Sequence, residues 1–144
     1  MGNDKMGKVL VTAKIESFED AFMVKRGLLP EDQARKVEVT DALVDTGAHE
    51  LSMPKRLIDQ LGLEPISTRK ARTAGGPRTF NVCGPVRLTV QGRFCSCDVI
   101  ELPDDCPVCI GQIPLEQLDF VVDPRSQKLI GNPEHNGEQM VDVL

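Results

Sequence analysis

The residues with the clearest capacity for chemistry are Asp45 and the three that follow it, Thr46, Gly47 and Ala48. Asp45 comes directly after the apolar residues 42–44, so the sequence places a carboxylate where a buried strand ends in a turn. A carboxylate held at the edge of a core can act as a general acid or base. Asp and Gly also favour turns for local reasons, and an ordinary turn is the alternative interpretation.

The residues around Asp45 show how such a group would be positioned. Residues 36–44 begin in alternation and end as a continuous apolar run, which is typical of a strand that passes from a half-exposed sheet into a core. Gly47 can adopt backbone angles closed to other residues and allows another chain to come close. Thr46 supplies a hydroxyl that can hydrogen-bond locally or across a contact.

A second apolar run, residues 107–110, ends at Gly111, and the two elements together resemble the signature of the retropepsin-like aspartic proteases. That signature is a strand ending in Asp-Thr-Gly-Ala, followed later by two apolar residues and a glycine. Between the two elements, residues 51–63 are similar to the family's strand, proline and short helix closed by a glycine. The turn residues Ala74, Gly75 and Gly76 fall where the family has the tip of its flap. The resemblance covers about residues 9–131.

The resemblance implies a fold and a reaction. The fold would be all-β, a closed, barrel-like retropepsin fold with one or two short helices, built as a single domain over residues 1–144 with polar termini outside about 9–131. The reaction would be hydrolysis of peptide bonds in a polypeptide substrate, without a metal or another cofactor. Because the chain carries one Asp-Thr-Gly motif, two copies would have to meet as a homodimer to supply two carboxylates.

Each motif residue takes a role from the same resemblance. Asp45 would be the catalytic residue, and Thr46, Gly47 and Ala48 would complete the active-site loop, with Thr46 hydrogen-bonding across the two-fold axis. Two further groups would support them. Ile110 and Gly111 would pack behind that loop, and Ala74, Gly75 and Gly76 would close over the substrate as a mobile lid.

Two positions depart from the retroviral members of the family. There, an Asp just after the first motif pairs with an Arg just after the second, whereas this chain has His49 and Gln112. The chain therefore resembles a cellular or bacterial relative, and the retroviral ion pair is not carried over. His49 and Glu50 are predicted to be a solvated surface pair or a dimer contact. The functional alternative is a catalytically silent retropepsin-like module for dimerisation or peptide binding, since a fold does not guarantee its chemistry.

Composition excludes several other classes of function. The net charge is −5, and Trp and Tyr are absent, so neither the concentrated cations nor the stacking platforms of nucleic-acid binders are expected. No run approaches the roughly 20 apolar residues of a membrane helix, and the polar start carries no apolar secretory region. We therefore expect a cytoplasmic protein that binds neither nucleic acid nor membrane, with an aliphatic core.

The cysteines allow two interpretations. Five of them, an odd number, favour free thiols in a reducing compartment over a disulfide framework. Cys95, Cys97, Cys106 and Cys109 could instead supply a tetrahedral zinc site. Cys95 and Cys97 alternate along a predicted strand and Cys109 lies in an apolar run, which favours buried or idle thiols.

The remaining pattern predicts strands with few helices. A polar connection is expected over residues 17–35, a short helix at 54–61, and another at 113–118. In chain order, the predicted strands are 9–16 and 36–44, a hairpin over 68–82, a second hairpin over 86–101, and a pair formed by 120–122 and 128–130. The polar tail from Asn132 is expected to be loosely held, with His135 idle.

Overall fold

Apolar residues at alternate positions build a sheet that runs through most of the chain, and the computed structural model describes residues 8–143. Nine strands and three short α-helices form within those residues. The strands are β1 Val9–Ser17, β2 Lys36–Val44, β3 Leu51–Pro54, β4 Pro65–Thr73, β5 Gly76–Val90, β6 Arg93–Leu102, β7 Cys109–Ile110, β8 Phe120–Asp123 and β9 Lys128–Gly131. The helices are α1 Phe18–Lys25, α2 Lys55–Gln60 and α3 Gln112–Leu118, with 3₁₀ turns at Glu31–Gln33 and Pro133–His135.

The main sheet closes on itself. Seven strands pair in the order β1-β2-β7-β3-β6-β5-β4, and β1 also pairs with β5. Six strands therefore form a ring, and β4 lies outside it as an edge strand paired only with β5 among the described strands. Strands β8 and β9 make a separate antiparallel pair. The predicted all-β, closed, barrel-like fold is confirmed.

Aliphatic side chains fill the ring. Ile15 of β1, Leu51 of β3, Leu88 of β5 and Ile110 of β7 have no exposed surface. Each such side chain contributes about 1.5–3 kcal/mol to folding through the apolar surface it removes from water. Phe120 joins this core, whose other described members are aliphatic side chains with Met53 and Cys83, so it is mainly aliphatic as the composition predicts. The strands that carry the candidate site residues are thus held by a packed interior.

The segment 17–35, predicted as a polar connection, contains helix α1, so the structure has three short helices where one or two were expected. Ser17 caps the helix by accepting a hydrogen bond from the Asp20 amide at 3.2 Å. The buried Asp20 carboxylate then accepts bonds from Arg35 Nε at 2.8 Å and Nη2 at 2.9 Å. The helix is fixed by a partner 15 residues away, which local sequence patterns do not reveal. No α-helix within residues 8–143 is long and apolar enough to cross a membrane.

The other predicted elements form close to their expected positions. Helix α2 covers the centre of the predicted 54–61 segment, and Gly62 ends it with φ +66°. The strand pair at 120–123 and 128–131 and the helix after Gly111 are also present. The hairpin of β4 and β5 is longer than predicted. Residues 65–72 of β4 are all exposed.

The segment after Asn132 is held more firmly than predicted. Asp119, buried and in a left-handed conformation (φ 59°), accepts hydrogen bonds from Asn132 Nδ2 at 3.2 Å and from the Met140 amide at 3.0 Å. His135 Nδ1 lies 2.5 Å from the same carboxylate. This bond to Asp119 raises the pKa of His135, and the His135 bond lowers the pKa of Asp119. The sequence did not predict this structural contact of His135.

Candidate active site

Asp45 is positioned by the pairing of β2 with β7. The two strands are parallel, with Leu43 opposite Cys109 and Val44 opposite Ile110. The Asp45 amide donates to the Ile110 carbonyl at 2.9 Å, so the last ladder bond comes immediately before the chain turns away. The carboxylate thus leaves the sheet at a fixed point, half-buried at the edge of the core. The sequence predicts this strand end correctly.

The loop after Asp45 orients its carboxylate. The Gly47 amide donates to Asp45 Oδ1 at 3.0 Å, and the Ala48 amide donates to the Asp45 carbonyl at 3.1 Å. A Cβ atom at position 47 would lie 3.3 Å from Oδ1, which is tighter than most such contacts. Ala48 has a methyl group and cannot donate a side-chain hydrogen bond. Thr46 and Gly47 are exposed, so this face of the loop is open to another molecule.

Gly111 lies directly against the chain that follows the Asp45 loop. A Cβ atom there would come 2.6 Å from the Glu50 backbone nitrogen, the Glu50 oxygen and the His49 carbonyl carbon. Three backbone bonds connect the segments: Gly111 N to Glu50 O at 3.1 Å, Gln112 N to Ala48 O at 2.8 Å and Ile113 N to His49 O at 2.8 Å. Only glycine permits this approach without a shift of backbone atoms.

Where the retroviral members have an ion pair, this chain has His49 and Gln112, and backbone hydrogen bonds connect the two segments that contain them. The two backbone bonds from Gln112 and Ile113 hold the loop. The Gln112 side chain instead donates to Glu116 Oε1 at 3.2 Å within α3. His49 is exposed. Within one chain, the site is therefore held by the backbone.

The predicted flap residues form the turn of a projecting hairpin. Ala74, Gly75 and Gly76 connect β4 to β5, and Gly76 has φ +103°. The Thr73 hydroxyl closes the turn by donating to the Gly76 carbonyl at 2.7 Å and accepting from the Gly75 amide at 3.2 Å. Ala74 and Gly75 are exposed, so few side chains pack against this turn.

A cavity of about 590 Å³ separates the loop from the arms of this hairpin. Gly47 and Ala48 contribute to one side, and β4 residues up to Thr73 contribute to the other. Its apolar lining comes from half-buried Phe80, Ile100 and Leu102 together with the two alanines of loop and arm. The structure thus brings the Asp45 loop and the hairpin arms to one cleft. The sequence did not predict the apolar residues lining it, because they are nearby only in the folded sheet.

A side-chain contact joins the two sides of the cleft. Arg69 of β4 donates from Nη1 to Oε1 of Glu50. Glu50 is a residue that closely follows the Asp45 loop. The prediction of Glu50 as a solvated surface pair or dimer contact missed this bond. A separation of 19 residues gives no local signal, since only the fold places the two charges together.

The thiols lie in different surroundings. Burial raises the pKa of Cys109, and the negative charge of nearby Asp45 raises it further. The neighbouring Cys95 thiol and burial raise the pKa of Cys97, whereas the Cys97 thiol lowers the pKa of Cys95. Cys106 lies beside Asp105, with Sγ 3.8 Å from Oδ1. Among residues 8–143 no three Cys, His, Asp or Glu side chains form a group that could hold a metal ion, and all five cysteines are free thiols.

Comparison with known families places this site within a matched region. A family model described as aspartyl protease matches residues 36–133, which is more than half of the chain. The matched range includes β2 with Asp45, the β4–β5 hairpin, and Gly111 with the helix after it. A comparison with curated proteins found no match.

Proposed function

We propose that this chain, which belongs to the aspartyl protease family, is an endopeptidase that acts as a symmetric homodimer with Asp45 as its catalytic residue. The observation that carries the proposal is the attachment of the Asp45 loop. The carboxylate leaves β2 at the last ladder bond to Ile110, accepts a bond from Gly47, and has Gly111 packed against the chain behind it. Such support is what a reacting group needs to stay in position.

The chemistry requires a second carboxylate. Two carboxyl groups held close together cannot both ionise comfortably, so the pair shares one proton. The ionised group takes a proton from a water molecule while the protonated group donates to the carbonyl of the peptide bond. The water oxygen attacks that carbonyl carbon, and the tetrahedral intermediate then collapses with proton transfer to the leaving amine. Each chain supplies one Asp45, so the pair lies on the two-fold axis of the dimer.

The neighbouring residues have supporting roles in this proposal. The exposed Thr46 hydroxyl is free to hydrogen-bond to the partner across the axis. The Gly47 amide stabilises the negative charge of the ionised Asp45, because it already donates to Oδ1. The turn at Ala74, Gly75 and Gly76 closes over bound polypeptide as a lid and excludes water from the cleft. We propose a cytoplasmic location because the cysteines are free thiols.

The test replaces Asp45 by Asn, which keeps the size of the side chain and removes its acid-base chemistry. Wild-type protein should cleave an unstructured polypeptide, and D45N should not, while both unfold at nearly the same urea concentration. Asp41 lies exposed on the same strand and provides the matched control, so D41N should retain activity. Sedimentation of the active sample should show a dimer. Cleavage by D45N at the wild-type rate would refute the proposal, and binding of polypeptide without cleavage by the wild type would favour the silent module.

A further inference from the structure

The hairpin above the cleft has a charge opposite to that of the rest of the chain. Residues 65–81 contain Arg69, Lys70, Arg72 and Arg78 and no acidic residue, whereas the whole chain has a net charge of −5. A local excess of one charge at a cleft concentrates ligands of the opposite charge. The hairpin is therefore a basic patch on an acidic protein.

Only part of this charge is neutralised within the described residues. Arg69 is paired with Glu50, which is the acidic residue in the lining of the cavity. Arg78 lies over the Phe80 ring at 5.5 Å from its centre. Among residues 8–143, Lys70 and Arg72 form no ion pair, and both line the cavity. These two cations stand on the edge strand β4, where every residue up to Arg72 is exposed.

The arrangement combines an apolar surface with a basic rim. Phe80, Ile100 and Leu102 offer a surface for an apolar side chain. Lys70 and Arg72 line the same cavity, and neither forms an ion pair among residues 8–143. A polypeptide that fits both features has an apolar residue with Asp or Glu close to it in sequence.

We infer that the cleft selects acidic polypeptides, with Lys70 and Arg72 as the residues that determine this specificity. The inference rests on the proposed peptidase function and names its substrate class. Lys70 and Arg72 belong to the lining of the cavity and Asp45 does not, so the two cations should act on substrate capture rather than on the chemical step. Their effect should therefore appear in KM, with little change in kcat.

A polypeptide is favoured over nucleic acid as the ligand of this patch. The chain has no Trp or Tyr, and the hairpin's single aromatic residue, Phe80, is half-buried in the cavity lining. Proteins that bind single-stranded nucleic acid combine cations with exposed rings on which bases stack. The negative charge of the remaining chain would also repel an extended polyanion.

The experiment compares two peptides that differ only in charge. One carries Glu on both sides of an apolar segment, and the other carries Gln at the same positions. We expect kcat/KM about 3- to 10-fold higher for the Glu peptide at low salt, which corresponds to two exposed charge pairs worth a few-fold each. The preference should shrink toward one at about 0.5 M salt, where exposed charges are screened.

Two double variants locate the effect. In K70Q/R72Q the Glu-to-Gln preference should fall close to one. The control K25Q/K128Q removes the same charge from exposed positions that do not line the cavity, and it should keep the wild-type preference. Circular dichroism of each variant before the assay confirms that it is folded.

The outcomes separate this inference from the proposed function. Equal cleavage of both peptides by the wild type would overturn the acidic preference and leave the peptidase intact. Cleavage of neither peptide, nor of unfolded casein, would overturn both. Tight binding of a single-stranded oligonucleotide that is lost in K70Q/R72Q, together with equal peptide cleavage, would assign the patch to nucleic acid and overturn the inference.

Discussion

Replacement of Gly111 by Ala should damage the site without altering any residue that reacts. The backbone at Gly111 has φ −88°, which alanine adopts freely, so conformational strain is not the cause. The cause is contact, since the added Cβ would lie 2.6 Å from three backbone atoms of residues 49 and 50. Backbone atoms cannot rotate away as the end of a flexible side chain can. Either the loop or α3 must shift.

The cost follows from the contacts that a shift would weaken. Overpacking a filled site typically costs about 1–3 kcal/mol of unfolding free energy. Moving the segments apart also weakens the three backbone bonds made by Gly111, Gln112 and Ile113, each of which is worth about 0.5–1.5 kcal/mol net. Because the shift relieves part of the clash as it weakens the bonds, we expect a total of about 2–4 kcal/mol. Peptidase activity should fall more than tenfold, because Asp45 is attached to the same loop.

Urea denaturation of G111A and wild type measures this cost. The matched control is G75A, where a Cβ atom would meet only the Thr73 hydroxyl at 3.9 Å and the backbone has no positive φ. G75A should unfold within about 0.5 kcal/mol of the wild type, as surface substitutions usually do. If G111A also unfolds within that margin, the close packing of Gly111 against the loop is not a constraint, and the argument for its role fails.

Three further predictions concern the dimer, its pH profile and the C-terminal segment. A mixed dimer with one wild-type and one D45N chain, purified by a different tag on each chain, should be nearly inactive. An enzyme that sediments as a monomer and is still active would refute the need for two chains. Replacing Ala48 by Ser should move the activity profile toward lower pH, because a hydroxyl can donate to the ionised Asp45; an unchanged profile with the dimer intact would contradict this. The His135 pair should stabilise the fold below pH 6.5, the ordinary pKa of His, and lose this effect as pH rises through its raised pKa. At the acid end the effect is lost as pH falls through the lowered pKa of Asp119. The urea midpoints of wild type and H135Q should therefore differ at pH 5, where both groups are charged, and converge at pH 9, where His135 is neutral.

The parts of the structure that the sequence predicted depend on local patterns. The strand ending at Asp45 was predicted over 36–44 and forms over Lys36–Val44, because its apolar residues alternate and then continue into the core. The turn that ends at Gly76 and the helix ended by Gly62 follow from glycine's access to positive φ, since the two residues have φ +103° and +66°. These features need only a few neighbouring residues to be specified.

The parts that the sequence did not predict depend on distant pairs. Helix α1 was missed because its stabilising contact is the bond between buried Asp20 and Arg35. The C-terminal segment is held by the contact between Asp119 and His135, which are 16 residues apart in sequence. In each case a charged residue looks solvated in the sequence and has a partner only once the sheet has formed. A periodicity argument has no access to such pairs.

The Glu50 position connects the Asp45 loop with the hairpin across the cleft. Its backbone accepts the Gly111 bond and belongs to the rigid frame, while its carboxylate binds Arg69 on the hairpin. An acidic substrate group that approached Arg69 would have to displace Glu50 from it, and would face repulsion from that carboxylate until it did. Lys70 and Arg72 present no such competitor among the described residues. If the cleft selects acidic polypeptides, the selection therefore falls to these two cations, and Arg69 is left to hold the hairpin against the loop that carries Asp45.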